Sequence, residues 1–239
     1  MLDSLALLGF GEKGWGLAML EGALMTLLVS AAGLIVGAVF GALAAWGRLS
    51  GSAAGSAAGR TYASIFRGVP ELLVVYLVYF GSSTLLTAAA QLFGYTGFVG
   101  VPSFAAGALA VGAISGAYQA EVYRAAYLAI GKGELEAATS VGMAPPLMFR
   151  RIIAPQVLRF ALPALGNLWQ VALKDSSLVA VTGLVELMRM SQLGAASTRR
   201  PFTFYLGGAA LYLILTLITT RGFDFAEARA TRGMRRAAG

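Results

Sequence analysis

Long apolar runs separated by short basic segments set the pattern of this chain. No charged residue interrupts Gly22 to Gly47. At about 1.5 Å of helical rise per residue, that run exceeds the ~30 Å hydrocarbon core of a bilayer. A second charge-free stretch follows Glu71 and reaches Ala120, too long for one helix. Gly94, Gly97, Gly100 and Pro102 divide it into two spans joined by a short connection. The second of these ends near Glu121 to Ile130. Phe160 to about Leu187 reads as a further span starting near Ala161, interrupted by Lys174 and Asp175, and Pro201 to Thr220 is the last. Backbone polar groups in lipid must be satisfied within the chain, so the pattern predicts an all-α membrane protein with about five transmembrane helices. Between Arg48 and Arg60, residues Gly51 to Gly59 repeat Gly, Ser and Ala, which reads as a flexible linker without chemistry. No longer internal repeat stands out, and the whole of 1–239 reads as one membrane domain.

Composition supports the membrane reading. The chain is 58% hydrophobic and 12% charged, with a mean hydropathy of +0.74, too little charge to cover a soluble surface. Its 31 glycines suit close packing between helices in lipid. There is no cysteine and no histidine, which excludes disulfides, thiol chemistry and the commonest metal ligand. No catalytic group and no metal site is expected. The net charge of +7 is better explained by basic cytoplasmic loops than by nucleic acid. The N-terminus carries Asp3, Glu12 and Lys13 and lacks the marks of a secretory signal, so the first span is expected to persist. With the N-terminus outside and the C-terminus cytoplasmic, thirteen basic residues lie inside and four outside, Lys174 being within a span. The inside set includes Arg221, Arg229, Arg232, Arg235 and Arg236 of the tail.

That orientation places residues 131–155 in the cytoplasm. Glu134 to Gly142 has good helix formers followed by a glycine able to end a helix. Pro145 and Pro146 then break the chain, and Leu147 to Ile153 can resume as a second short helix. Ala137 and Ala138 leave a flat surface for another backbone, and Glu136 can accept charge-assisted hydrogen bonds. No nucleotide site is visible, since Ala126 and Gly133 stand where a phosphate loop around Lys132 needs a glycine and a hydroxyl.

Glu136-Ala137-Ala138, then Gly142, Ile152 and Pro155, resembles the EAA loop of the membrane subunits of ABC importers. Ala154 departs from the pattern, many members having leucine there. Arg67-Gly68-Val69-Pro70, Gly116 to Arg124, Gly133-Glu134-Leu135, Leu162 to Trp169 and Leu173 to Leu178 together resemble the polar amino acid permeases. The similarity is greatest to the Q-type permeases of histidine/lysine/arginine/ornithine and opine importers, over about Gly22 to Phe225. The resemblance implies a cytoplasmic coupling loop in which Glu136, Ala137, Ala138 and Gly142 meet an ATPase. It also implies a bacterial inner-membrane complex with two copies of an ATP-binding subunit, a second related permease and a periplasmic substrate-binding protein. ATP and Mg would lie on the ATPase, with no cofactor on this chain. A non-catalytic permease for basic amino acids or opines is the function so implied.

Asp175 and Glu121 are candidates for the substrate path, because a carboxylate in a span costs about 2.5–3.5 kcal/mol and tends to face a cavity. Lys174 is a candidate contact for a substrate carboxylate. Each has a structural alternative: Lys174 can neutralise Asp175, and Glu121 can pair with Arg124 one turn away. Gln119 and Asn167 fit polar contacts between helices at least as well as a path. Arg67 and Glu71 fit interface snorkelling, and Trp15, Trp46 and Trp169 fit interfacial anchors or core. A secondary carrier or channel working without ATP is the alternative function, and a membrane scaffold is a third.

Overall fold

The computed structural model describes residues 7–11 and 14–231. Asp3, Glu12, Lys13, Arg232, Arg235 and Arg236 lie outside these. All regular elements among the described residues are helical: α1 (Gly16–Leu49), α2 (Ala53–Gly68), α3 (Glu71–Leu92), α4 (Ser103–Leu128), α5 (Lys132–Ser140), α6 (Pro145–Met148), α7 (Ala154–Asp175), α8 (Leu187–Thr198) and α9 (Pro201–Ala230). A π turn at Phe149–Ile153 joins α6 to α7, and a 3₁₀ segment at Ser176–Thr182 follows α7.

Three of these helices are long and apolar enough to cross a membrane: α1, α3 and α9. The helices α4 and α7 have 26 and 22 residues, long enough to cross, but carry more small and polar residues. The composition of α4 follows from its place at the centre, where α1, α2, α3 and α7 all pack on it. At Gly37 of α1, an added Cβ would lie 2.6 Å from the Gln119 and Ser115 side chains and 3.0 Å from the Gly116 nitrogen. One turn on, an added Cβ at Gly41 would lie 3.0 Å from the Gly116 oxygen. Only glycine lets the two backbones approach this closely, the usual basis of helix association in lipid. Outward-facing Leu73, Leu77 and Phe80 of α3 and Leu213, Leu217 and Ile218 of α9 are exposed, an apolar surface unsuited to water.

The Gly51–Gly59 stretch is not a linker. Apart from Gly51 and Ser52 it is the first half of α2, started by Ser52, whose side chain accepts from the Gly55 nitrogen at 3.2 Å. Gly55 and Gly59 lie four residues apart and so share one helix face. An added Cβ on Gly55 would come 3.0 Å from the Gly47 oxygen, and one on Gly59 2.7 Å from the Ala44 oxygen. The small residues are therefore a packing face against the end of α1. Tyr62 completes the docking, donating to the Ala113 carbonyl of α4 at 2.7 Å.

The fourth long helix also begins earlier than Ala161. It runs continuously from α6 through the π turn, where the Ala154 nitrogen bonds the Phe149 oxygen five residues back. Pro155 is the physical cause nearby. It has no N–H, and its ring displaces the carbonyl four residues before it, so the turn widens. Pro163 lies inside α7 and removes a second bond. The helix ends at Asp175, and Gly183 closes the 3₁₀ segment in the left-handed region at φ +87°.

Candidate functional site

The loop between α4 and α7 is built from two helical pieces meeting at a turn. Helix α5 ends in a paired cap. The Met143 nitrogen bonds the Ala138 oxygen at 3.0 Å, and the Gly142 nitrogen bonds the Thr139 oxygen at 2.9 Å. Gly142 sits at φ +73°, where an L side chain is strained, so the glycine is what lets the cap close. Glu136 and Ala137 face solvent, while Ala138 is buried. Glu134 accepts from the Gln156 amide, tying α5 to α7. Leu135, Glu136, Thr139, Ser140 and Met148 line a shallow concavity of about 470 Å³ between α5 and α6. The prolines lie at the start of α6 rather than in a gap before it, since Pro at the first helical position loses no hydrogen bond.

The substrate-path candidates are separated by the structure. Glu121 lies near the loop end of α4. Its Oε1 accepts from Arg48 and, at 3.5 Å, from Arg67, while its Oε2 accepts two bonds from Arg124 at 3.2 Å. The pairing with Arg124 is thus present, within a larger cluster. Asp175 and Lys174 lie at the far end of α7, and no ion pair joins them among the described residues. Asp175 is partly exposed and Lys174 is exposed. Gln119 is 0% exposed and joins helices, donating to the Leu34 carbonyl at 3.1 Å and Ser115 Oγ at 2.7 Å, and accepting from Tyr123. Asn167 is exposed. Trp15 packs edge-on to Phe204, Trp169 is buried beside Phe223, and Trp46 is exposed.

Sequence reading passed over Glu186, which it absorbed into an apolar run. The residue is 0% exposed. Its carboxylate caps α8 by accepting from the Met188 and Arg189 nitrogens at 2.8 and 2.7 Å. It also accepts from Thr26 of α1 at 3.2 Å and Tyr212 of α9 at 2.8 Å. Such bonds to a charged group contribute about 1.5–3 kcal/mol each, enough to offset a burial cost of about 2.5–3.5 kcal/mol. An acidic residue directly before a short helix was the available signal.

Residues 37–232 match the family described as binding-protein-dependent transport system inner membrane component. The chain belongs to that family. This inner-membrane component is 52% identical over 235 residues to the octopine transport system permease protein OccQ of Rhizobium radiobacter, covering 98% of the chain and 99% of its relative. It is 34% identical over 224 residues to the histidine/lysine/arginine/ornithine transport system permease protein HisQ of Escherichia coli, covering 94% and 98%. A crystal structure of an amino acid ABC transporter with histidines superposes with a TM-score of 0.74 at 32% identity, covering 90% of this chain and 95% of that one. The chain is accordingly a permease component of an ABC transporter, with the helical fold of that class.

Proposed function

We propose that this chain is the Q-type permease of an ATP-driven bacterial importer for opines or basic amino acids. The observation that carries the substrate class is the 52% identity to an octopine permease, sustained over almost the full length of both chains. Five helices cross the inner membrane, with the N-terminus outside and the C-terminus cytoplasmic. Residues 131–155 form the coupling loop within the single membrane domain 1–239. There the exposed Glu136 and Ala137, above the buried Ala138, sit beside a concavity able to receive a partner. The partners are two copies of an ATP-binding subunit, a second related permease and a periplasmic binding protein. ATP and Mg belong to the ATPase, and this chain catalyses no reaction.

In this reading, closure of the ATPase pair draws α5 inward. The bond from Gln156 to Glu134 and the continuous α6–α7 rod carry that movement towards Asp175. Asp175 and Lys174 then meet the cationic and carboxylate ends of the substrate. Glu121, already shared by three guanidinium groups, holds α1, α2 and α4 together instead.

The test is ATP hydrolysis by the reconstituted complex with its binding protein loaded with octopine, arginine or glutamate. Stimulation by octopine or arginine is expected, and stimulation by glutamate alone would overturn the substrate class. Glu136→Arg is expected to abolish stimulated hydrolysis and uptake while membrane insertion stays normal. Normal uptake by this variant would remove Glu136 from the coupling surface.

A further inference from the structure

The arginines around Glu121 exceed what one carboxylate neutralises. Arg48, Arg60, Arg67, Ser64, Tyr118 and Glu121 line a cavity of about 550 Å³ where α2 lies across the ends of α1 and α4. Glu121 is the one acid among these lining residues, and both its oxygens are already occupied by Arg48, Arg67 and Arg124. Each guanidinium has five N–H donors. Arg48 and Arg67 each direct one nitrogen to Glu121, and Arg60 directs one to Ser56 Oγ at 2.9 Å. Arg67 is further fixed over the Tyr118 ring, 5.4 Å from its centroid. The stem of Arg48 is seated against Gly59, where an added Cβ would lie 2.7 Å from its Cγ. The cavity therefore presents held cationic groups with donors to spare, a donor set suited to planar or tetrahedral oxyanions.

Its position selects among the anions. Helix α2 is short and lies between two long apolar helices, with only Gly59 and Ala63 buried. Arg48 lies in the last turn of α1, just past the charge-free run Gly22 to Gly47, so the cavity sits at the end of a helix long and apolar enough to cross a membrane. Basic residues gathered at the end of an apolar span lie at headgroup level, within reach of anionic lipid. We propose that this cavity binds the phosphate of an anionic phospholipid headgroup from the cytoplasmic leaflet, with Arg60 and Arg67 as its contacts. The leaflet assignment rests on the orientation given above.

Native mass spectrometry of the full chain with its copurifying subunits tests this, with phosphatidylglycerol, phosphatidylcholine or inorganic phosphate added. Preferential retention of phosphatidylglycerol is expected. Arg60→Gln and Arg67→Gln are each expected to weaken it about fivefold, the loss of one basic contact to an anionic surface. Ser64→Asp leaves every arginine in place and is expected to weaken it similarly, while Arg229→Gln leaves it unchanged. Equal retention by all variants, or equal retention of phosphatidylcholine, would overturn the site. Displacement by millimolar phosphate would make it a free-anion site and overturn the lipid assignment. Labelling of a Ser56→Cys variant from each side of sealed vesicles reports the orientation separately, so failure of the leaflet assignment is distinguishable from failure of the site.

Discussion

At the scale of single residues, carboxylate environments divide structural from exposed groups. Glu186 accepts from two backbone nitrogens and two hydroxyls on three different helices. Glu186→Ala leaves those donors buried without an acceptor, at about 1–3 kcal/mol for each unsatisfied group. A clearly lowered melting temperature in detergent is expected, and a smaller drop for Glu186→Gln, which keeps one acceptor. Melting at the parental temperature by both variants would show that the cluster holds nothing together. Gly142→Ala is expected to cost about 1–2 kcal/mol locally, because φ +73° places the new Cβ against the following carbonyl oxygen. Transport should fall while the yield of inserted protein holds, as read by uptake against membrane content. The end of the helix at Gly142 was legible because glycine after good helix formers is a local signal. Glu186 offered a local signal only as a helix cap; its burial among Thr26 and Tyr212 was not legible, because they lie 160 and 26 residues away.

At the scale of elements, α2 shows how one composition supports opposite readings. Nine residues of Gly, Ser and Ala look featureless as a string, and low side-chain content ordinarily favours disorder. The decisive property is the spacing of four between glycines, which aligns them on one face against the α1 backbone. Tryptic cleavage at Arg60 and Arg67 should consequently be slow in the native chain. A Gly55→Leu variant, which forces the side chain into the Gly47 carbonyl, should be cut much faster at both. Equal cutting rates would mean that α2 is not docked. The start of the helix α7 at Ala154 was not legible for a related reason. Hydropathy marks where lipid begins, whereas hydrogen bonding marks where a helix begins, and Pro145 to Arg159 is helical but too polar for a hydropathy signal.

At the scale of the whole molecule, the long apolar helices follow from apolar length, a pattern visible in the chain, whereas the central position of α4 rests on close approaches between residues of α1 and α4 far apart in sequence. Orientation is testable without removing native thiols, since the chain has no cysteine. Thr96→Cys should react with a membrane-impermeant maleimide from outside intact cells, and Ser140→Cys only after the membrane is opened. The reverse pattern would invert the topology. The π turn at Phe149–Ile153 adds a constraint on length. A helix advances about 100° per residue, so the wide turn fixes the angle at which α5 and α6 are presented relative to α7. Removing one residue from α6 or from the first turn of α7, where the helix is regular, would swing Glu136 about a quarter-turn round the rod, away from anything waiting to receive it. Related chains that keep this mechanism should therefore differ in residue identity between Ser140 and Pro155 far more freely than in residue number, while the connection from Gly94 to Val101 bears no such arithmetic.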